Sequence, residues 1–271
     1  MRNLLSILTT TITLFALSTP AIHAHSQELA VAPANSPRLT FDVISIHPSD
    51  PRVPGGFIKA MPSGQGYLAK VVSVKLMISL MYKIPARQIT GGPGWLDSEL
   101  FDIQAKADKS YNIDDLHTMF QNLLADRFGL KFHVEKKDGN IYALTIDRSG
   151  LKMKPNTSPQ DYAIPVQPNG QANITGTRVP MNYLCWQLGQ FLQNDERPVI
   201  NMTGLTGNYD FKLVFRPQLP PGAGEDSLPP SFLDRPDLFS AVREQMGLKL
   251  NAQKGSVTYI VIDHVEKPSE N

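Results

Sequence analysis

A helix stop followed by a strand occurs twice in this chain, as Leu124-Ala125-Asp126-Arg127-Phe128-Gly129-Leu130-Lys131 and as Val242-Arg243-Glu244-Gln245-Met246-Gly247-Leu248-Lys249. The two glycines, Gly129 and Gly247, are 118 residues apart (247 − 129). A glycine directly after the last apolar turn of a helix is typical of a C-terminal cap, because glycine adopts the left-handed conformation without steric cost. These two corners predict two units that pass from helix to strand at the same point.

The elements before each corner follow the same order. A helical pattern lies at 73–83 in the first unit and at 181–192 in the second. A turn and an aromatic-Asp strand follow, at 100–105 and at 208–213. Phe101 and Tyr209 in these strands are 108 residues apart (209 − 101), so an insertion separates the strand from the corner in the second unit. This order predicts an internally duplicated chain.

Local signals set the limits of the elements in the first unit. Ser73 and Asn112 are placed to cap two helices, and Pro85 follows the first helix. Segments 41–46 and 67–72 are rich in β-branched and aromatic residues, which favours strands. The residues Lys137-Asp138-Gly139-Asn140 tolerate turn geometry and lie between apolar segments, so we expect a β-hairpin there.

Together these patterns predict an α+β fold with mixed or antiparallel sheets, built from two strand-helix-strand-helix-hairpin units. The expected division of the chain is as follows: a signal peptide at 1–24, a disordered lead at 25–38, the first unit at 39–151, a linker at 152–171, the second unit at 172–265 and a polar tail at 266–271. A Pro-rich loop at 217–236 interrupts the second unit. A long loop in a compact domain is either disordered or functional.

The start of the chain indicates export. Arg2, an apolar run from Leu4 to Leu17 and a small-residue exit at Ala24 are typical of a secretory signal. The apolar run contains Thr and Ser residues and is short for a bilayer span, so we expect cleavage near residue 25, no stable transmembrane segment afterwards and a periplasmic or extracellular location. The single cysteine, Cys185, lies in an apolar helical pattern and is interpreted as a core residue.

The formal net charge of +1 argues against nucleic acid as a partner. Two residues are candidates for ligand binding. Trp95 follows the glycine-rich turn 91–94 and offers a stacking face, although a turn that places Trp95 in the core explains the same residues. Arg197 has a planar fork that suits a carboxylate or phosphate, although a structural bond to a local acidic residue or to backbone carbonyls is the more frequent use.

No recognisable catalytic set, cofactor motif or metal-ligand spacing occurs, so we predict no catalytic residue, no cofactor and no metal site. His133, Asp263 and His264 lie at strand positions where they are able to meet, which leaves a metal site or a hydrolase as an alternative. Asp102 and Asp210 occupy matching strand positions. They either pair across the two units or each bond backbone groups in their own turns, and repetition favours the structural role.

A set of short motifs occurs in fixed order over nearly all of the mature chain: Phe41-Asp42-Val43, Gly91-Gly92-Pro93-x-Trp95, Phe101-Asp102-Ile103, Leu123-Leu124-Ala125-Asp126-Arg127-Phe128, Arg197-Pro198-Val199, Thr203-Gly204-Leu205-Thr206-Gly207-x-Tyr209-Asp210-Phe211 and Glu244-Gln245-x-Gly247-Leu248-Lys249 with Val261-Ile262-Asp263. The set resembles the exported "soil-associated" bacterial proteins of unknown function, of the acidobacterial type. A similar domain is attached to some BlaR-type membrane metallopeptidases, which implies sensing or binding. The family has no established catalytic residues. Asn201-Met202 departs from its pattern, which has an acidic and a basic residue there.

Three functions follow as hypotheses. The leading one is a non-catalytic ligand-binding, partner-binding or sensor module of the cell envelope, because the chain joins an export signal to a scaffold without a catalytic set. The second is a cell-envelope hydrolase with an unrecognised site around His133, Asp263 and His264. The third is a structural partner of a membrane protein that docks through the loop at 217–236.

Overall fold

The computed structural model describes residues 27, 29–31, 38–50, 52–169, 172–192, 195–219 and 222–268. The predicted signal peptide lies outside these residues. The strands are β1 Val43–Pro48, β2 Phe57–Ala60, β3 Gly66–Ser73, β4 Ile89–Gly91, β5 Leu100–Lys106, β6 Lys131–Ile146, β7 Lys154–Pro155, β8 Val166–Pro168, β9 Asn173–Pro180, β10 Val199–Asn201, β11 Asn208–Val214 and β12 Leu248–His264. The α-helices are α1 Val74–Tyr82, α2 Trp95–Ser98, α3 Ile113–Arg127, α4 Met181–Phe191, α5 Pro230–Leu233 and α6 Leu238–Ala241, the last continued by a π-helical turn at Val242–Met246.

The strands form three four-stranded sheets. The first has the order β1-β5-β3-β2 and the third has the order β7-β11-β9-β8, and both are antiparallel. The central sheet has the order β10-β6-β12-β4, with an antiparallel middle pair and parallel edges. The α+β class with mixed and antiparallel sheets is therefore confirmed.

The two middle strands of the central sheet are long. β6 has 16 residues and β12 has 17, and the two pair in antiparallel register from Leu248 opposite Ile146 to His264 opposite Lys131. The predicted hairpin at 137–140 is wrong, because β6 continues straight through these residues. Gly139 faces Gly255 across the ladder, and a Cβ on Gly139 would lie 2.9 Å from Val257 Cγ2. The glycine permits a close approach between strands rather than a turn.

Each edge strand of the central sheet pairs with a long strand from the other half of the chain. β4, from the first half, pairs with β12 at Ile260 to Ile262. β10, from the second half, pairs with β6 at Tyr142 to Leu144. The two pairings correspond in position, since residues 142 and 260 are 118 apart (260 − 142), the same spacing as the glycine corners. The correspondence is one of position within the sheet. The internal duplication of the chain therefore stays a prediction.

Two hydrophobic cores lie at opposite ends of the β6–β12 pair. The first core joins the inner face of the β1-β5-β3-β2 sheet to α1, α3 and the end of β12, including Ile260 and Ile262. The second joins the β7-β11-β9-β8 sheet to α4, the start of β12 and the end of β6, including Leu144 and Leu248. A smaller cluster is formed by Ile141, Ala143, Ile200 and Val257.

The predicted helix ends are confirmed. The side chain of Ser73 accepts a hydrogen bond from Leu76 N, and that of Asn112 accepts one from Asp115 N. Gly129 and Gly247 both have positive φ, at 59° and 68°. These caps satisfy backbone groups that a helix terminus otherwise leaves without a partner.

Segments predicted to lack regular structure contribute to the fold. The predicted linker at 152–171 supplies β7 and β8 to the third sheet. Within the predicted lead, Ala30 N donates to Tyr82 O, and Ala30 O accepts from Gln121. The Pro-rich loop contains a 3-10 turn at Glu225–Ser227 and the helix α5.

Candidate functional site

A groove of about 340 Å³ lies where the Pro-rich loop meets the start of α6. Its lining is Arg216, Pro217, Gln218, Leu219, Leu228, Asp237, Leu238 and Phe239. Leucines and an aromatic ring supply apolar surface, and an arginine, an aspartate and an amide supply polar groups. Binding sites for small molecules commonly combine these two kinds of surface.

Hydrogen bonds at the two ends of the loop hold the groove together. Arg216 N donates to Pro236 O at 2.8 Å, which brings the ends of the loop side by side. Asp237 caps α6, because its carboxylate accepts from Ser240 N at 3.0 Å and from Ser240 Oγ at 2.9 Å. The hydrogen bond from Ser240 N, and to a lesser extent that from Ser240 Oγ, lowers the pKa of Asp237. The sequence around Asp237 therefore fixes one wall of the groove.

Phe239 joins the groove to a neighbouring cluster formed by Tyr142, Arg197 and Asp195. The ring of Phe239 is 37% exposed and packs edge-on against Tyr142, with 5.3 Å between centroids. Arg197 lies over the ring of Tyr142, with its Cζ 4.3 Å from the centroid. Tyr142 Oη donates to Asp195 Oδ2 at 2.7 Å, so the cluster is linked by both stacking and hydrogen bonds.

Arg197 directs its fork at a local aspartate. Its Nε donates to Asp195 Oδ1 at 2.8 Å and its Nη2 donates to Asp195 Oδ2 at 2.6 Å. This pairing holds the pKa of Asp195 well below its usual range and raises the pKa of Arg197. Burial and the bond to Asp195 raise the pKa of Tyr142 to about 12. This pairing matches the alternative in which Arg197 makes a structural bond to a local acidic residue. The ring of Tyr142 lies between Arg197 and Phe239, which lines the groove.

Trp95 lies elsewhere, at the first turn of α2. The half-buried indole packs against the first core and meets Phe101 edge-on, with 6.3 Å between centroids. Gly91 and Gly92 have positive φ, and a Cβ on Gly92 would lie 2.5 Å from Leu96 Cδ1. Turn geometry and close packing thus explain the glycine-rich segment. Trp95 packs against the first core, whereas Arg197 lies over Tyr142 of the second core.

The three residues of the hydrolase hypothesis come together only in part. His133 Nδ1 is 2.8 Å from Asp263 Oδ1, and His133 Nε2 is 3.5 Å from Glu135 Oε1. The bond to Asp263 raises the pKa of His133. His264 instead has Glu266 as its ionic partner, at 3.8 Å. The pair His133–Asp263 is exposed on the surface of the central sheet.

The remaining candidate features are the thiol of Cys185, clusters of metal-binding side chains and membrane-spanning helices. Cys185 is buried, and burial raises the pKa of its thiol to about 12. Among the residues that the structure describes, no group of three or more His, Cys, Asp or Glu side chains is placed to hold a metal ion. Over the same ranges, no helix has both the length and the apolarity that a membrane crossing requires.

The groove is the feature that the sequence did not reveal. Its only signal was the Pro-rich insertion at 217–236, since a long loop in a compact domain often carries function. The convergence of that loop with α6 and with Tyr142 of β6 depends on contacts between residues far apart in the chain. Spacing along the sequence does not encode those contacts.

The fold and the groove define an α+β protein in which two cores share one central sheet. A family model described as a protein of unknown function, DUF3738, matches residues 75–265, which is more than half of the 271-residue chain. The chain belongs to this DUF3738 family. Searches of curated proteins and of solved structures returned no match.

Proposed function

We propose that this protein is an exported, non-catalytic binding module of the cell envelope whose ligand occupies the groove between the Pro-rich loop and α6. The observation that carries the proposal is the groove itself, at about 340 Å³. Small-molecule sites in proteins span roughly 300–1,000 Å³, so the groove suits a small ligand or one or two side chains of a peptide. The mixed lining favours a ligand that has an apolar part and a polar part.

Export and sensing rest on the sequence. Residues 1–24 have the features of a secretory signal, and the motif set resembles domains attached to BlaR-type membrane metallopeptidases. A sensor domain binds its ligand without converting it. This agrees with a site built from leucines, a phenylalanine and an aspartate whose carboxylate already caps α6. The ligand is then an envelope component or a compound that reaches the envelope from outside.

Thermal shifts of the chain from residue 25 onward test the proposal. The panel contains cell-wall fragments, β-lactams, oligosaccharides, short peptides and divalent metals. A ligand at about 100 times its dissociation constant adds about 2.7 kcal/mol to the free energy of unfolding, which is readily detected. We expect one class to raise the melting temperature, with the shift lost in Phe239→Ala.

Phe57→Ala is the matched control, since Phe57 is also exposed, at 44%, and lies on β2 outside the groove. A shift that survives in Phe239→Ala and in Leu228→Ala would place the ligand elsewhere. A panel with no shift at all would reject small-ligand binding and favour a protein partner, to be sought by cross-linking in the envelope.

The docking hypothesis uses the same loop. Deleting 217–236 is a poor test, because Phe232 is buried and Pro236 O accepts a hydrogen bond from Arg216 N. Leu233→Ser is better, since Leu233 is 42% exposed. For a docking segment, this change should abolish capture of a membrane partner while the melting temperature stays unchanged.

The hydrolase alternative keeps one favourable observation, the 2.8 Å contact between His133 and Asp263. A histidine oriented by a carboxylate is a common general base. Alanine at His133, Asp263 and His264 together tests it. Any hydrolytic activity that persists in the triple variant would come from another site or from a contaminant, and the alternative would be rejected.

A further inference from the structure

Lys83 is a charged side chain buried between the two cores. It follows α1 directly, with a left-handed backbone at φ 53°, and it is 7% exposed. One turn earlier, Leu80 packs against both the first and the second core. Lysine is rarely buried to this degree without a specific partner, because removal of the ammonium from water is costly.

The partners of Lys83 come from both halves of the chain. Its Nζ donates to Leu80 O at 2.5 Å, within its own helix. The same Nζ lies 4.8 Å from the ring centroid of Tyr183 and 5.3 Å from that of Trp186, both on α4. Ring faces attract an ammonium, so these contacts stabilise the charged form where no water replaces them. The indole N–H of Trp186 is buried and has no hydrogen-bond partner within the described structure.

The pKa values of Lys83 and of the titratable groups around it are shifted in different directions. Burial lowers the pKa of Lys83 to about 7, and Asp114 on α3 opposes this change. Burial, and to a lesser extent Lys83, lower the pKa of His117 on α3 well below its usual range, and His117 Nε2 lies 3.0 Å from Tyr67 Oη on β3. Burial raises the pKa values of Tyr67, Tyr183 and Asp114. Of these groups, Lys83 changes charge near neutral pH.

We propose that Lys83 is a pH-responsive contact between the two cores, in which proton uptake by its amine alters the packing of the end of α1 against Tyr183 and Trp186 of α4. One position of Nζ meets both Leu80 O and the two ring faces. A neutral amine keeps the hydrogen bond to Leu80 O, and an ammonium in the same place adds the attraction to the rings of Tyr183 and Trp186. The inference does not depend on the groove or on its ligand.

The two tryptophans of the chain, Trp95 and Trp186, make the test direct. Trp95→Phe leaves Trp186 as the only indole, and its fluorescence is recorded from pH 5.5 to pH 9. We expect one sigmoidal change with a midpoint near pH 7. The change should be absent when Lys83→Met or Lys83→Gln is added. Glutamine keeps a donor for Leu80 O, so it serves if methionine disturbs folding.

Asp114→Asn gives a second test, in which the pH midpoint of the fluorescence change is measured. A lysine with a purely structural role would leave that midpoint unchanged. Removal of the carboxylate that favours the ammonium should shift the midpoint of the fluorescence change to lower pH, with the amplitude kept. Fluorescence of Trp95→Phe that does not change between pH 5.5 and pH 9 would overturn the proposal. A transition that persists unchanged in both Lys83 variants would also overturn it, because another group would then be titrating.

Discussion

Val71 in β3 and Arg178 in β9 share one unusual backbone conformation, since each has a φ of 53° at a bulge in its sheet. Each donates its backbone N–H to an aspartate on the neighbouring strand. Val71 N is 3.0 Å from Asp102 Oδ1, and Arg178 N is 2.8 Å from Asp210 Oδ1. The matching aspartates therefore bond backbone groups, which is the structural role predicted for them, but each does so at a bulge in the neighbouring strand rather than in its own turn.

Asp210→Ala should destabilise the protein by about 1–3 kcal/mol, because the N–H of Arg178 loses its acceptor in a part-buried position. Chemical denaturation measures the change in the free energy of unfolding. Asp226→Ala is the control, as this aspartate is exposed and its substitution should change stability by less than about 0.5 kcal/mol. Equal effects of the two substitutions would contradict the role given to the bulge.

Val71→Gly should be tolerated or mildly stabilising. A left-handed conformation costs an L-residue roughly 1–2 kcal/mol, and glycine removes that cost. Val72→Gly at the next position is the comparison, since Val72 is 2% exposed and belongs to the first core. It should cost more than about 2 kcal/mol through lost burial. If both variants are equally unstable in urea, the backbone at Val71 carries no strain.

Gly255→Ala should cost about 1–3 kcal/mol through overpacking, because its Cβ would lie 2.4 Å from Ile141 Cδ1. Ile141→Val removes that carbon, so the double variant should recover part of the loss. A double-mutant cycle in denaturant measures the coupling. Gly224→Ala, where nothing lies within 4 Å, is the control. Additive effects of the two changes would show that the strands adjust independently.

Lys83→Met should raise the melting temperature more at pH 6 than at pH 9. The folded pKa of about 7 lies below the value of about 10.4 for an unfolded chain. Between these two values the unfolded state binds more protons, so the stability of the wild type rises with pH and the full penalty remains below pH 7. The gain at pH 6 should be at least about 4 °C. A gain independent of pH would contradict a buried ionisable lysine.

His133 should titrate above its ordinary pKa of 6.5 in an NMR pH series, because Asp263 and then Glu135 favour its charged form. Asp263→Asn should move the midpoint down towards 6.5. Glu266→Gln, which alters the partner of His264, should leave His133 unchanged. With its pKa raised by folding, His133 stabilises the protein below pH 6.5 and loses that contribution as pH rises through its folded pKa. An unshifted midpoint in Asp263→Asn would contradict the pairing.

Sequence patterns were sufficient for elements whose signals are local. Ser73, Asn112, Gly129 and Gly247 mark helix ends because a cap is an interaction within a few residues. The same local reasoning failed at 137–140. There the partner that keeps β6 extended is β12, more than 100 residues later, and turn-forming residues yield to a continuous ladder.

The site depended even more on distant contacts. Arg197 was recognised as a planar fork, and its local partner Asp195 was one of the two alternatives. Its stacking on Tyr142, and the link from Tyr142 to Phe239, join three separate segments of the chain. Lys83 had no signal at all, because its burial arises where α1 of one core meets α4 of the other.

The pairing of each edge strand with the other half of the chain has a consequence for the order in which the protein folds. The first core includes Ile260 and Ile262, and β4 has its ladder partner there. The chain must therefore be available through β12 before the first core can close. Pairings between residues so far apart in the sequence slow folding, because the entropy of closing a long loop is lost before the contacts form.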